Sequence, residues 1–157
     1  MAEDLRSHGY LRAVAFAPPL ALADPLANAD AMMESLDVAC ERHASLVLFP
    51  ELAITGFTCE DLFFSRALRD DAREALGRLA EATRGHAPTV VVGAPWASGD
   101  GRLFNCAFVL ADGGVAGAVP KIHLPNYGEF YERRWYASGA DAELRGAYVW
   151  TDRAGDE

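Results

Sequence analysis

A chain of 157 residues, 51% hydrophobic and 24% charged, has the makeup of one soluble globular domain, long enough to bury roughly 70% of its unfolded surface. Its formal net charge of −9 leaves no basic stripe for phosphates, which argues against a nucleic-acid partner. No apolar run approaches the roughly 20 residues of a membrane span, and the N-terminal MAEDLRSHGY holds no stretch of signal-peptide length, so a cytoplasmic protein with no membrane partner is expected.

Tyr10 to Ala17 alternates well enough for a first strand, which the Pro18 and Pro19 pair ends. Asp24 then stands as a helix cap with Pro25 in the first helical position. Leu26, Ala29, Met33, Leu36, Cys40 and His43 follow at steps of three and four, which predicts one buried face of an amphipathic helix. On that face Cys40 is expected to be a small buried hydrophobe.

Ser45 to Phe49 has the length of a buried strand, and Pro50 ends it by removing a backbone donor. The next residue is Glu51. An acid one step beyond a buried strand sits where α/β proteins keep their chemistry; it also suits the cap of a following helix, and this segment alone does not separate the two. Thr58 to Asp61 opens a short helical turn carrying Leu62, Phe63 and Phe64. Cys59 lies eight residues past Glu51, but Glu60 and Asp61 beside it oppose a thiolate, so it is expected to be structural.

Ser65 opens a second helix with Leu68, Ala72, Ala75, Leu76 and Leu79 as its stripe, Glu74 and Arg78 as an i,i+4 pair, and Gly85 as the C′ residue. Val90 to Ala94, Leu103 to Leu110 and Val115 to Val119 then follow as strands without intervening helices. Gly99 to Gly101 and Asp112 to Gly114 supply the turns. The pattern is β-α-β-α-β followed by hairpins, and it predicts a mixed sheet with helices on one face.

The strand Val115 to Val119 ends as the earlier one does, in a proline and a charge, here Pro120 and Lys121. Lys121 is the only lysine in the chain. A lysine supplies a compact ammonium that can meet a developing oxyanion; the plainer alternative is a salt bridge closing one end of the sheet. Beyond it, IHLPNYGEFYERRWYASG is aromatic and charged without a clean period, which suits a pocket wall or a packed loop. Ala147 to Trp150 begins another strand. Cys40, Cys59 and Cys106 are odd in number and widely spaced, as for reduced thiols. His8, His43, His86 and His123 show no ligand spacing, so no metal site is expected.

FPEL at 49–52, TGFTCEDL at 55–62, VVGAP at 91–95, NCAFVL at 105–110 and PKIHLPNYGEFYERRWYASG at 120–139 together resemble the nitrilase (carbon–nitrogen hydrolase) superfamily. Within it they are most similar to the N-terminal glutaminase domains of bacterial glutamine-dependent NAD+ synthetases. The resemblance implies an α/β fold, the α-β-β-α sandwich with mixed sheets, of which residues 1–157 would form the N-terminal part, incomplete at the C-terminus. It implies that Glu51 is the general base, Lys121 the oxyanion-stabilising lysine and Glu132 the second glutamate beside them. Tyr127 matches the aromatic residue that contacts glutamine, and Phe57 falls where close relatives often carry tyrosine.

The superfamily's nucleophile is a cysteine at the end of a later strand, and no cysteine follows Cys106 here. The resemblance therefore implies glutamine as substrate but no cofactor in this chain. ATP and deamido-NAD would belong to a synthetase domain absent from it. Three functions are weighed: glutamine hydrolysis feeding NAD+ synthesis, a stand-alone amidase or nitrilase, and a non-catalytic assembly module or remnant. A homo-oligomer or a complementing synthetase-containing chain is the expected partner. The sheet face of Leu46, Leu48, Val91 and Phe108 is expected to lack cover, which would leave the chain alone marginally stable or self-associating.

Overall fold

The computed structural model describes residues 4–85 and 88–141. Among the described residues five strands form one sheet in sequential order: β1 Ala13–Ala15, β2 Leu46–Leu48, β3 Thr89–Ala97, β4 Leu103–Ala111 and β5 Gly114–Pro120. The first three run parallel because a helix separates β1 from β2 (α1, Pro25–Glu41) and β2 from β3 (α2, Arg66–Glu81). The last three are antiparallel because tight turns join them. This is the mixed sheet with helices on one face that the sequence predicts. Among the described residues no helix is long and apolar enough to cross a membrane.

Alternation along the strands assigns the two faces. Val47, Val90, Val92, Phe108 and Leu110 lie in register on the face that α1 and α2 cover, and each is 0–1% exposed. Leu46, Leu48, Val91, Val109 and Val119 alternate with them onto the other face, where Leu48 is 48% and Val119 64% exposed. Phe108 therefore belongs to the helix-covered core and not to the open face expected for it. Its partner across the ladder is Val92, and the pairing fixes its side.

In α1, Asp24 accepts from Ala27 N–H and Pro25 occupies the first turn, as predicted. The buried face is rotated from the expected stripe, however, onto Asn28, Ala29, Met32, Leu36 and Ala39. Asn28 sets the rotation. Its Nδ2 donates to the carbonyls of Ala21 (2.8 Å) and Ile54 (3.0 Å), and its Oδ1 accepts from Ala21 N–H (2.7 Å). Cys40 is consequently exposed, a correction to its expected burial. The α2 stripe of Leu68, Ala72, Ala75, Leu76 and Leu79 is buried as read, and Arg78 pairs with Glu74 at 2.5 Å. Gly85 has φ +85° but lies beyond Thr83, the residue that follows the C-cap Ala82, so it is not the C′ residue. The strand expected over 147–150 lies outside the described residues.

Candidate active site

Pro50 ends β2, and the chain then folds across the open face of β3. Gly93 receives it through two main-chain bonds: its N–H donates to Pro50 O (3.3 Å), and its carbonyl accepts from Ile54 N–H (3.2 Å). Gly93 needs its missing side chain here, since a Cβ would stand 2.7 Å from Glu51 Cα and 2.8 Å from Glu51 C. Leu52 turns the chain with φ +50°, a left-handed conformation uncommon for leucine. The carboxylate of Glu51 is thus carried on a strained turn seated on the sheet.

Lys121 reaches the same place from the end of β5. Its N–H donates to Asn105 O (2.8 Å), and its carbonyl accepts from Gly139 N–H (2.9 Å), so the backbone beneath the side chain is held on both sides. Its Nζ donates to Glu51 Oε1 at 2.7 Å and to Glu132 Oε1 at 2.9 Å. The two strand-ending prolines accordingly deliver their charges to one cleft. Burial pulls the Lys121 ammonium down, but the bonds to Glu51 and Glu132 outweigh it and hold its pKa above the ordinary 10.5.

Glu132 sits in a 3₁₀ turn, Glu132–Arg134, and is 2% exposed. A buried carboxylate requires a paired charge, and Lys121 supplies it; Oε2 is buried without a hydrogen-bond partner among the described residues. Asn105, on β4, completes the cluster: it is 3% exposed and its Nδ2 donates to Glu51 Oε1 at 2.5 Å. Its spacing does not mark it as a site residue; the signal in the sequence is one amide inside the apolar run LFNCAFVL, where a buried polar group must find a partner.

A groove of about 400 Å³ opens in front of Glu51 and Lys121, walled by Leu48, Gly93, Ala107 and Val119. A second cleft of about 290 Å³ runs past Glu132 between Phe57, Thr58, Phe130 and Trp135. Phe57 is therefore a wall of that cleft. Tyr127 is 72% exposed and packs edge-on against Phe130 with ring centroids 6.0 Å apart. The aromatic segment after Lys121 is a pocket wall in part.

Neither buried thiol is placed to react. Cys59 is 2% exposed and donates to Thr55 O (3.1 Å), and burial pushes its thiol up. The acids beside it are not the main cause, since Asp61 is engaged by Arg134 and Trp135. Burial drives Cys106 up to about 12. Cys40 is raised by partial burial and by Asp37. Among the described residues no group of three or more His, Cys, Asp or Glu side chains is placed to hold a metal ion.

Residues 12–153 match the carbon-nitrogen hydrolase family. The chain belongs to that family. This carbon-nitrogen hydrolase chain is 38% identical over 132 residues to the glutamine-dependent NAD(+) synthetase of Mycobacterium tuberculosis (strain ATCC 25618 / H37Rv), an overlap of 84% of this chain and 19% of that protein. With the Thermotoga maritima protein of the same name it shares 38% identity over 109 residues, 69% of this chain and 19% of the other. The crystal structure of a glutamine-dependent NAD(+) synthetase from Cytophaga hutchinsonii superposes with a TM-score of 0.76 at 29% identity, covering 82% of this chain and 22% of that one. An amidase from Nesterenkonia sp. superposes at 0.68 with 23% identity, over 82% of this chain and 48% of the other, a likeness of fold. The chain spans about a fifth of the length of these curated relatives.

Proposed function

We propose that this domain hydrolyses the side-chain amide of glutamine, with Glu51 as general base, Lys121 as the oxyanion-stabilising cation and Glu132 as the group that holds Lys121. The single observation that carries this reading is Lys121 Nζ bonded to Glu51 and Glu132 at one mouth of a groove, in a chain of this family. Similarity to glutamine-dependent NAD(+) synthetases supports glutamine as substrate. Tyr127 and Phe57 are assigned to glutamine contact.

In this scheme Glu51 takes the proton of a cysteine thiol, and the thiolate forms a bond to the amide carbon. The carbonyl oxygen becomes an oxyanion beside the Lys121 ammonium, which has a third N–H to offer it. Collapse breaks the C–N bond while Glu51 returns its proton to the departing nitrogen, releasing ammonia. Glu51 then deprotonates a water, whose attack on the thioester yields glutamate and restores the thiol. Cys40, Cys59 and Cys106 do not answer to the nucleophile, so the chain by itself is assigned no turnover. The thiol would come from a complementing segment or partner chain. The ammonia would feed ATP-dependent amidation of deamido-NAD in a synthetase domain outside this chain.

The test is ammonia release from glutamine by the purified chain, alone and with a cysteine-bearing fragment of a related glutaminase domain. Turnover only in the mixture, abolished by Glu51→Gln and by Lys121→Ala, is expected. Turnover by the chain alone, or turnover in the mixture that survives both substitutions, would overturn the assignment.

A further inference from the structure

The two carboxylate oxygens of Glu51 are treated differently. Oε1 accepts from Asn105 Nδ2 at 2.5 Å and from Lys121 Nζ at 2.7 Å. Among the described residues Oε2 accepts no hydrogen bond, and the Glu51 side chain is 45% exposed where it borders the groove. The terminal torsion of a glutamate is broad and roughly two-fold, so a carboxylate held weakly can exchange its oxygens. Here two donors from different elements converge on one oxygen and oppose that exchange.

Asn105 is built for this. Its side chain holds Glu51 while its main-chain carbonyl holds the Lys121 N–H at 2.8 Å, so one buried residue fixes the spacing of the pair. An amide donates to a carboxylate without adding charge. Aspartate would set a third acid beside Glu51 and Glu132, and a hydrocarbon would leave Oε1 with Lys121 alone.

We propose that Asn105 is a positioning residue that anchors Oε1 of Glu51 and thereby makes Oε2 the atom that takes and returns the proton. The inference rests on Glu51 being the base. It adds that the base is one particular oxygen, chosen by a neutral neighbour on β4.

The test is NMR spectroscopy of the intact 157-residue chain at one neutral pH, following the Glu51 carboxyl carbon and the Asn105 side-chain amide protons. In the unsubstituted protein one Asn105 amide proton is expected well downfield of its geminal partner, as the donor of a hydrogen bond to a charged oxygen. In Asn105→Ala and in the bulkier Asn105→Leu the Glu51 carboxyl carbon signal is expected to move, because one of the two donors to Oε1 is gone. Thermal unfolding of each variant separates this effect from general loosening. Asn105 amide protons with the shifts of a free amide in the unsubstituted protein would overturn the proposal, and that arm needs no variant to fold. A folded variant with an unmoved Glu51 carboxyl signal would overturn it as well. The spectra involve no turnover, so a failure of glutamine hydrolysis would count against the base assignment and not against the Asn105–Glu51 coupling.

Discussion

A Cβ on Gly93 would stand 2.7 Å from the Cα of Glu51, so the acid at the mouth of the groove rides directly on a bare strand position. Gly93→Ala should therefore act on the site before it acts on the core. Both main-chain bonds from Gly93 to the Pro50–Ile54 segment must lengthen to admit a methyl group. Overpacking of this kind destabilises by about 1–3 kcal/mol. Urea unfolding measures that loss, and the Lys121 Nζ resonance is expected to shift as Glu51 moves away.

Removing the ammonium strands the buried Glu132. Lys121→Met is expected to destabilise the fold by about 3 kcal/mol, the lower end for breaking a buried pair, because the Lys121 side chain is 27% exposed. Adding Glu132→Gln should recover most of the loss, since the uncompensated charge goes with it. A double-mutant cycle in urea measures the coupling. Additive effects would show that Glu132 does not depend on Lys121.

The raised pKa of Lys121 gives stability a defined alkaline edge. Folded Lys121 binds its proton more tightly than the unfolded chain does, so its contribution is complete below the ordinary 10.5 and is lost as pH rises through the folded value. Cys106 acts in the same direction from a lower start, because its buried thiol stays protonated up to about 12 while the unfolded thiol ionises near its usual 9.0. Melting temperature should fall across this alkaline range. The part due to Lys121 is the difference from Lys121→Met, whose decline should be shallower above pH 10.5.

Thiol chemistry should separate the three cysteines. A maleimide is expected to modify Cys40 in the native protein and to reach Cys59 and Cys106 only on unfolding, since only Cys40 is exposed. A glutamine-analogue electrophile should not label Cys59 stoichiometrically. Mass spectrometry reads both. Labelling of Cys59 that disappears in Glu51→Gln would identify it as the nucleophile.

Convergence of Glu51 and Lys121 was legible because strand-ending prolines mark the same end of a sheet: Pro50 closes β2 and Pro120 is the last residue of β5. The strand order followed from helices between the early strands and glycine turns between the later ones. What periodicity missed were polar residues that behave as core. Asn28 turns α1 through bonds to the main chain of Ala21 and Ile54 outside the helix, so an apolar count places Met33 and Cys40 inward, whereas Met32 and Ala39 are buried. Asn105 escaped notice for the same reason, since its partner lies 54 residues away. The face of Phe108 is not legible without its register to Val92, because side-chain alternation decides faces only once register is known. Glu132 came from resemblance alone, its segment having no period to read.

Lys121 being the chain's single lysine has a practical consequence. Endoproteinase Lys-C has one bond to cut, between Lys121 and Ile122, and it lies inside the cleft with its backbone tied to Asn105 and Gly139. Scission at that bond becomes a clock for opening of this one locality, read on a gel as a single pair of bands. Amine-directed isotope tagging is equally selective, since only the α-amino group competes. The composition that leaves one ammonium in a field of guanidinium groups has, in effect, wired the cleft with its own reporter.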